Sequence, residues 1–132
     1  MKGFAQVAKE SEVKKHFIEG KELAKKIISK LSDILLESDI QPSSTWGGRA
    51  TDSTTTPFSD KFMMYITSLI TNTAISYNAL GTTFSLRSDL HAKLLLISKD
   101  VFGYAKKGGK IMIEHKWMEE PPQMEDRNQL SK

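Results

Sequence analysis

Apolar and small side chains recur along this chain in steps of three and four residues, the period of one face of an α-helix. The first long run, about Glu12 to Ser38, puts Val13, Phe17, Gly20, Ala24, Ile27, Leu31 and Ile34 on one stripe, flanked by Leu23, Ile28 and Leu35. At 1.5 Å per residue such a helix is about 40 Å long. Gly20 and Ala24 are small enough to let a neighbouring helix come close. A second run follows Ser59, with Phe62, Ile66, Leu69, Thr73, Tyr77, Leu80 and Phe84 on its stripe. Met63, Ile70 and Ala74 widen that stripe, and the pattern loosens near Gly81-Thr82-Thr83. The third run is the cleanest: Leu90, Leu94, Ile97, Val101, Tyr104, Gly108, Ile111, His115 and Met118, ended by Pro121-Pro122. Ahead of all three, Met1 to Lys9 is short and mildly apolar (Phe4, Ala5, Val7, Ala8) and reads as a short helix or the remnant of a longer one. The pattern predicts an all-α bundle of three long helices and a short first one.

The ends of these runs carry capping residues. Ser11 is placed to cap the first long helix, with Glu12 in its first turn where the helix dipole favours a carboxylate. Ser59 is placed to cap the second, with Asp60 behind it and Phe58 and Met63 spaced for a hydrophobic staple. Ser85 or Ser88 is expected to cap the last, and Asp89 suits its positive end. Gly108-Gly109 inside that helix costs about 1 kcal/mol per glycine against alanine, so a close helix contact or a local bulge is expected there. Between Asp39 and Ser59 the helical period disappears into turn formers and β-branched polar residues. About twenty residues is long for a connection in a compact domain. Such a length lets the next helix run parallel to the previous one by crossing the bundle, with Ile40 and Trp46 pinning the crossover to its side.

The 132 residues make one domain, a bundle over residues 1–120 followed by a polar tail over 121–132. No run of 18 apolar residues is present, so no membrane span is expected. The N-terminus lacks the apolar core of a secretory signal, which reads as cytoplasmic at synthesis. With no cysteine, disulfide scaffolds, thiolate metal sites and cysteine nucleophiles drop out together. The net charge is +3, but the lysines from Lys9 to Lys26 alternate with Glu10, Glu12, Glu19 and Glu22. That is the pattern of a solvated helix face, and no nucleic-acid surface is expected.

Several stretches resemble a family of unknown function from endospore-forming bacteria, ferritin-like in fold, whose members are often labelled spore-coat-like. They are Glu12-Val13-Lys14, Phe58 to Met63, Tyr77-Asn78-Ala79-Leu80, Leu86 to Leu90 and Trp117 to Gln123. Together they span about Glu10 to the C-terminus, and none is a catalytic signature. The resemblance implies a ferritin-like bundle of four helices with a long crossover between the second and third. The short first helix departs from that pattern. It leaves an apolar groove open, and a homo-oligomer, a dimer, formed through that groove is expected.

Candidate chemistry is thin. A di-metal centre in a bundle needs inward carboxylates and Glu-x-x-His pairs on two helices, and no Glu-x-x-His occurs. Glu12 and His16 share a face, but His16 lies among lysines and is expected to be solvated. Arg87 and Asp89, with Asp60, form the best polar constellation, either bracing a helix end or marking an anion-binding corner at a helix N-terminus. His115, Tyr104 and Tyr77 lie on apolar stripes. They are read first as packed or hydrogen-bonded side chains and second as contacts for a small molecule or metal held between helices. Gly47-Gly48 lacks the ending and the preceding strand of a phosphate loop. No catalytic residue, metal site or cofactor is expected. The leading expectation is a non-enzymatic structural or interaction protein tied to sporulation or the spore coat, and spore-associated. The alternative is a small-molecule- or metal-binding bundle.

Overall fold

A computed structural model describes residues 1–44 and 51–119. Four helices follow one another: α1 (Lys2–Val7), α2 (Ser11–Leu36), α3 (Asp60–Phe84) and α4 (Ser88–Glu114). Among the described residues there is no strand, and no helix is long and apolar enough to cross a membrane. The fold is the expected all-α bundle, with three long helices and a short first one.

Helix directions follow from what meets at each end. The α3 residue Asp60 accepts hydrogen bonds from the backbone N–H of Lys9 at 3.0 Å and of Glu10 at 2.7 Å, so the starts of α2 and α3 lie together. At the other end Arg87 Nη1 donates to Ser38 Oγ at 2.9 Å, and Lys93 pairs with Glu37 at 2.9 Å. Helices α2 and α3 are therefore parallel, α4 runs back against both, and the end of α2 and the start of α3 lie at opposite ends of the bundle. Helix α4 is the spine: α3 packs along it, α2 packs beside it, and α1 lies on α2. Direct contact between α2 and α3 is slight.

The core sits at one end. Ala5, Val13, Phe17, Met63, Met64 and Met112 form a buried cluster, with Phe4, Val7, Ala8, Ile111 and Trp117 packed against it. Phe4 meets Phe17 at 5.5 Å between ring centroids, which is how so short an α1 contributes to the core. Away from that end burial thins. The α2 stripe passes from buried Val13, Phe17 and Gly20 to half-buried Ala24, Ile27, Leu31 and Ile34.

Helix α3 departs from expectation. Its apolar stripe does not face α4: Leu69, Tyr77, Leu80 and Phe84 are 46%, 70%, 51% and 77% exposed. The buried positions are instead Asp60, Met63, Met64, Thr67 and Thr71. Threonine tolerates this because Thr71 Oγ1 donates to the Thr67 carbonyl one turn back at 2.7 Å, which satisfies the hydroxyl inside its own helix.

The ends bring further corrections. Glu10, not Ser11, precedes the first turn of α2, and the Asp60 carboxylate takes the N–H groups there. Ser59 caps α3 as expected, accepting from Phe62 N at 3.2 Å. Phe58 packs on Phe62, centroids 5.3 Å apart, rather than on Met63, which is fully buried. No side chain caps α4, where Arg87 is the cap residue. Helix α4 stops at Glu114, ahead of Pro121-Pro122, because Lys116 turns left-handed (φ 56°). Trp117 N then bonds Met112 O at 2.8 Å and Lys116 N bonds Ile113 O at 2.9 Å, a Schellman closure. Helix α2 closes the same way around Asp39 (φ 56°), with Ile40 N on Leu35 O at 2.9 Å. Ile40 is thus part of a helix stop and is 53% exposed, not a pin for the crossover. Trp46, Gly47-Gly48 and the 121–132 tail lie outside the described residues.

Candidate functional site

One turn after His16 in α2 stands Gly20, and one turn after Tyr104 in α4 stands Gly108. Because the helices are antiparallel, this repeated spacing interlocks. The Tyr104 ring lies on Gly20, where a Cβ would sit 2.6 Å from Tyr104 Cζ. The His16 ring lies on Gly108, where a Cβ would sit 2.9 Å from His16 Nε2. The two rings stack face to face, centroids 4.1 Å apart and 2° from parallel. Each aromatic side chain fills the space the opposite glycine leaves, which explains Gly108 in mid-helix. Gly109 has nothing within 4 Å of its missing Cβ, and the structure supplies no packing reason for it.

His16 is 4% exposed, against the expectation of a solvated side chain. Its Nδ1 is buried without a hydrogen-bond partner. In the neutral Nε2–H tautomer this atom is a lone pair lacking a donor; in the cation it would be a buried charged donor lacking an acceptor, which costs more. Burial accordingly lowers the His16 pKa to about 4, with Glu19 opposing the shift and Lys107 adding to it. Burial also pushes the Tyr104 phenol up, helped by Glu19. The Tyr104 hydroxyl lies 3.8 Å from Met1 Sδ. On its inner side the stack borders a void of about 10 Å³ lined by Met64, Thr67, Thr71 and Met112. That is at the lower limit of room for one water molecule. On its outer side His16 floors an open cleft of about 320 Å³ between Glu12, Lys15, Glu19, Lys107 and Lys110.

Beyond the stack a ladder of ion pairs continues the antiparallel register: Glu19–Lys107 at 2.9 Å, Lys26–Asp100 at 3.2 Å and Glu37–Lys93 at 2.9 Å. The partners are all at least a third exposed. Such pairs set alignment more than stability.

The residues singled out from the sequence do not converge. Arg87 and Asp89 pair with each other at 2.8 Å at the far end of the bundle, and Arg87 also holds Ser38, so the arginine braces the helix ends. Asp60 is at the opposite end, committed to Lys9 and Glu10. His115 Nδ1 lies 3.0 Å from the Ile111 carbonyl and its ring tilts against Trp117, centroids 4.7 Å apart. Eleven residues separate it from Tyr104, about 16 Å along a helix. Tyr77 stands on the outward stripe of α3. Tyr104 alone is in the interlock, and its partner His16 was missed. The paired aromatic-to-glycine spacing in α2 and α4 was the signal that would have found it. Among the described residues no three His, Asp or Glu side chains are grouped to hold a metal ion.

A family model described as protein of unknown function (DUF3231) matches residues 1–130. The chain belongs to that family. No curated protein and no solved structure matches it.

Proposed function

We propose that this DUF3231 chain is a non-enzymatic interaction protein that pairs with a second copy of itself, through the groove beside the short α1 and the outward stripe of α3. The observation that carries this reading is the inversion of α3. A helix that buries its threonines and leaves Leu69, Ile70, Tyr77, Leu80 and Phe84 in water has its largest apolar face unpartnered within the chain. Exposed apolar patches of this kind mark interfaces.

Area supports a second copy as the occupant. The chain exposes 10042 Å², whereas a compact chain of 14.8 kDa exposes about 7,000 Å². Allotting residues 45–50 and 120–132 the full area of an unfolded chain still leaves the remainder roughly 700 Å² above a compact fold of its size. A standard interface takes about 800 Å² from each partner. The slight contact between the parallel α2 and α3, with α1 covering only the core end, gives the partner a groove to enter.

The four-helix order with a crossing connection is consistent with a ferritin-like arrangement, and the resemblance to spore-coat-like proteins favours a role in the sporulating cell or the spore coat. Glutamates in place of Leu80 and Phe84 test the interaction surface. Light scattering is expected to show a halved mass with helicity retained. An unchanged mass would refute pairing through α3. A fluorescent fusion followed through sporulation tests the setting. Signal gathered on the developing spore is expected, and an even spread in vegetative cells would count against the spore assignment.

A further inference from the structure

The His16–Tyr104 interlock holds the α2–α4 contact at a buried imidazole with one unsatisfied nitrogen. We infer that it is an acid-sensitive clasp: protonation of His16 releases α2 from α4 along the length beyond Gly20, while the α3–α4 pair stays together.

Three observations carry this. First, the imidazolium has no acceptor available at Nδ1, which is fully enclosed. The ring cannot slide within the stack to find one, because Gly108 and Tyr104 confine it. Second, the ionised groups around it are net positive, two glutamates against three lysines. From α2 it is faced by Glu12, Lys15 and Glu19, and from α4 by Tyr104, Lys107 and Lys110. Glu19 is already committed to Lys107 at 2.9 Å. Helix α3 contributes Met64, Thr67 and Thr71, none of which ionises in this range. Near the N-terminus Met1 reaches the stack through its sulfur on Tyr104. Third, little else fastens α2 to α4 beyond the clasp. There the stripe is half-buried and the ion pairs are solvent-exposed, whereas α3 packs along α4 more extensively.

The direction follows from linkage. The proton binds more tightly to the open form, where the imidazole has an ordinary pKa near 6.5, than to the closed form, where it is about 4. The ratio of closed to open chain therefore falls as pH drops through that window, by up to about 300-fold. His91 and His115 differ from His16 in geometry: their ring nitrogens lie 2.8 Å and 3.0 Å from the Ser85 and Ile111 carbonyls, so each ring has a hydrogen-bonding partner.

The test uses the full chain. With no native cysteine, Ser29→Cys in α2 and Lys99→Cys in α4 accept spin labels cleanly. Distances are read from pH 7 to pH 4.5 in excess unlabelled protein, so that only intramolecular pairs count. The expected result is a distance that lengthens or broadens as pH falls, in the otherwise native chain and equally in His91→Asn and His115→Asn. In His16→Asn it should not depend on pH over this range. A pH-independent distance in the native background, or the same opening in His16→Asn, overturns the clasp. Should His16→Asn fail to fold, the proton titration of His16 by NMR decides. A label distance that lengthens or broadens as His16 takes up its proton upholds the proposal, and a distance unchanged once His16 is protonated overturns it.

Discussion

Glycine-to-alanine substitution separates the interlock from ordinary helix propensity, because the two predict opposite signs. In the middle of a helix, replacing glycine by alanine gains about 1 kcal/mol. At Gly103 and Gly109 an added Cβ meets nothing within 4 Å, so both substitutions are expected to stabilise by up to about 1 kcal/mol. At Gly20 the Cβ would stand 2.6 Å from Tyr104 Cζ and 3.1 Å from Cε2. The ring cannot retreat without losing its 4.1 Å stack on His16. Overpacking of this kind costs about 1–3 kcal/mol, so Gly20→Ala is expected to destabilise by up to about 2 kcal/mol after the propensity gain is taken off. Gly108→Ala meets His16 Nε2 at 2.9 Å and Cε1 at 3.2 Å. The milder clash puts it between neutral and about 1 kcal/mol destabilised. Urea unfolding followed by far-ultraviolet circular dichroism, all variants at one protein concentration, reads the four values. The refuting result is Gly20→Ala as stable as Gly103→Ala, which would mean that Tyr104 does not rest on α2.

Other expectations follow from the same contacts. His16 titrates at about 4 in the folded chain against about 6.5 when unfolded, so the unfolded state binds the proton first as pH falls. Stability is whole above pH 6.5 and declines from there to pH 4 by at most about 3 kcal/mol; urea midpoints across that range should show the slope in the native chain and a smaller one in His16→Asn. Asp60→Ala strips the acceptor from the N–H groups of Lys9 and Glu10 and is expected to cost about 1–3 kcal/mol, with Asp60→Asn costing less because one oxygen remains. Neutralising Lys107 or Lys93 breaks exposed ion pairs and should change unfolding free energy by less than about 1 kcal/mol, a difference that salt erases.

Periodicity was enough to place α2, α3 and α4, and the length of the Asp39–Ser59 segment was enough to make α2 and α3 parallel. Local chemistry was legible where it is local: Ser59 caps α3 through a bond three residues away. What could not be read depends on the register between helices. His16 looks like one more polar residue among lysines until α4 brings Gly108 opposite it. The stops at Asp39 and Lys116 use left-handed non-glycine residues, so no glycine announces them. The apolar stripe of α3 is the natural choice of buried face, yet within the chain the buried positions are Asp60, Met63, Met64, Thr67 and Thr71. Hydrophobic pattern identifies a face that seeks cover and is silent about whose surface supplies it.

Sedimentation equilibrium of the unaltered chain across micromolar concentrations tests that last point most directly. The expected mass reaches twice the 14.8 kDa of one chain as concentration rises. A single species of 14.8 kDa throughout would contradict it.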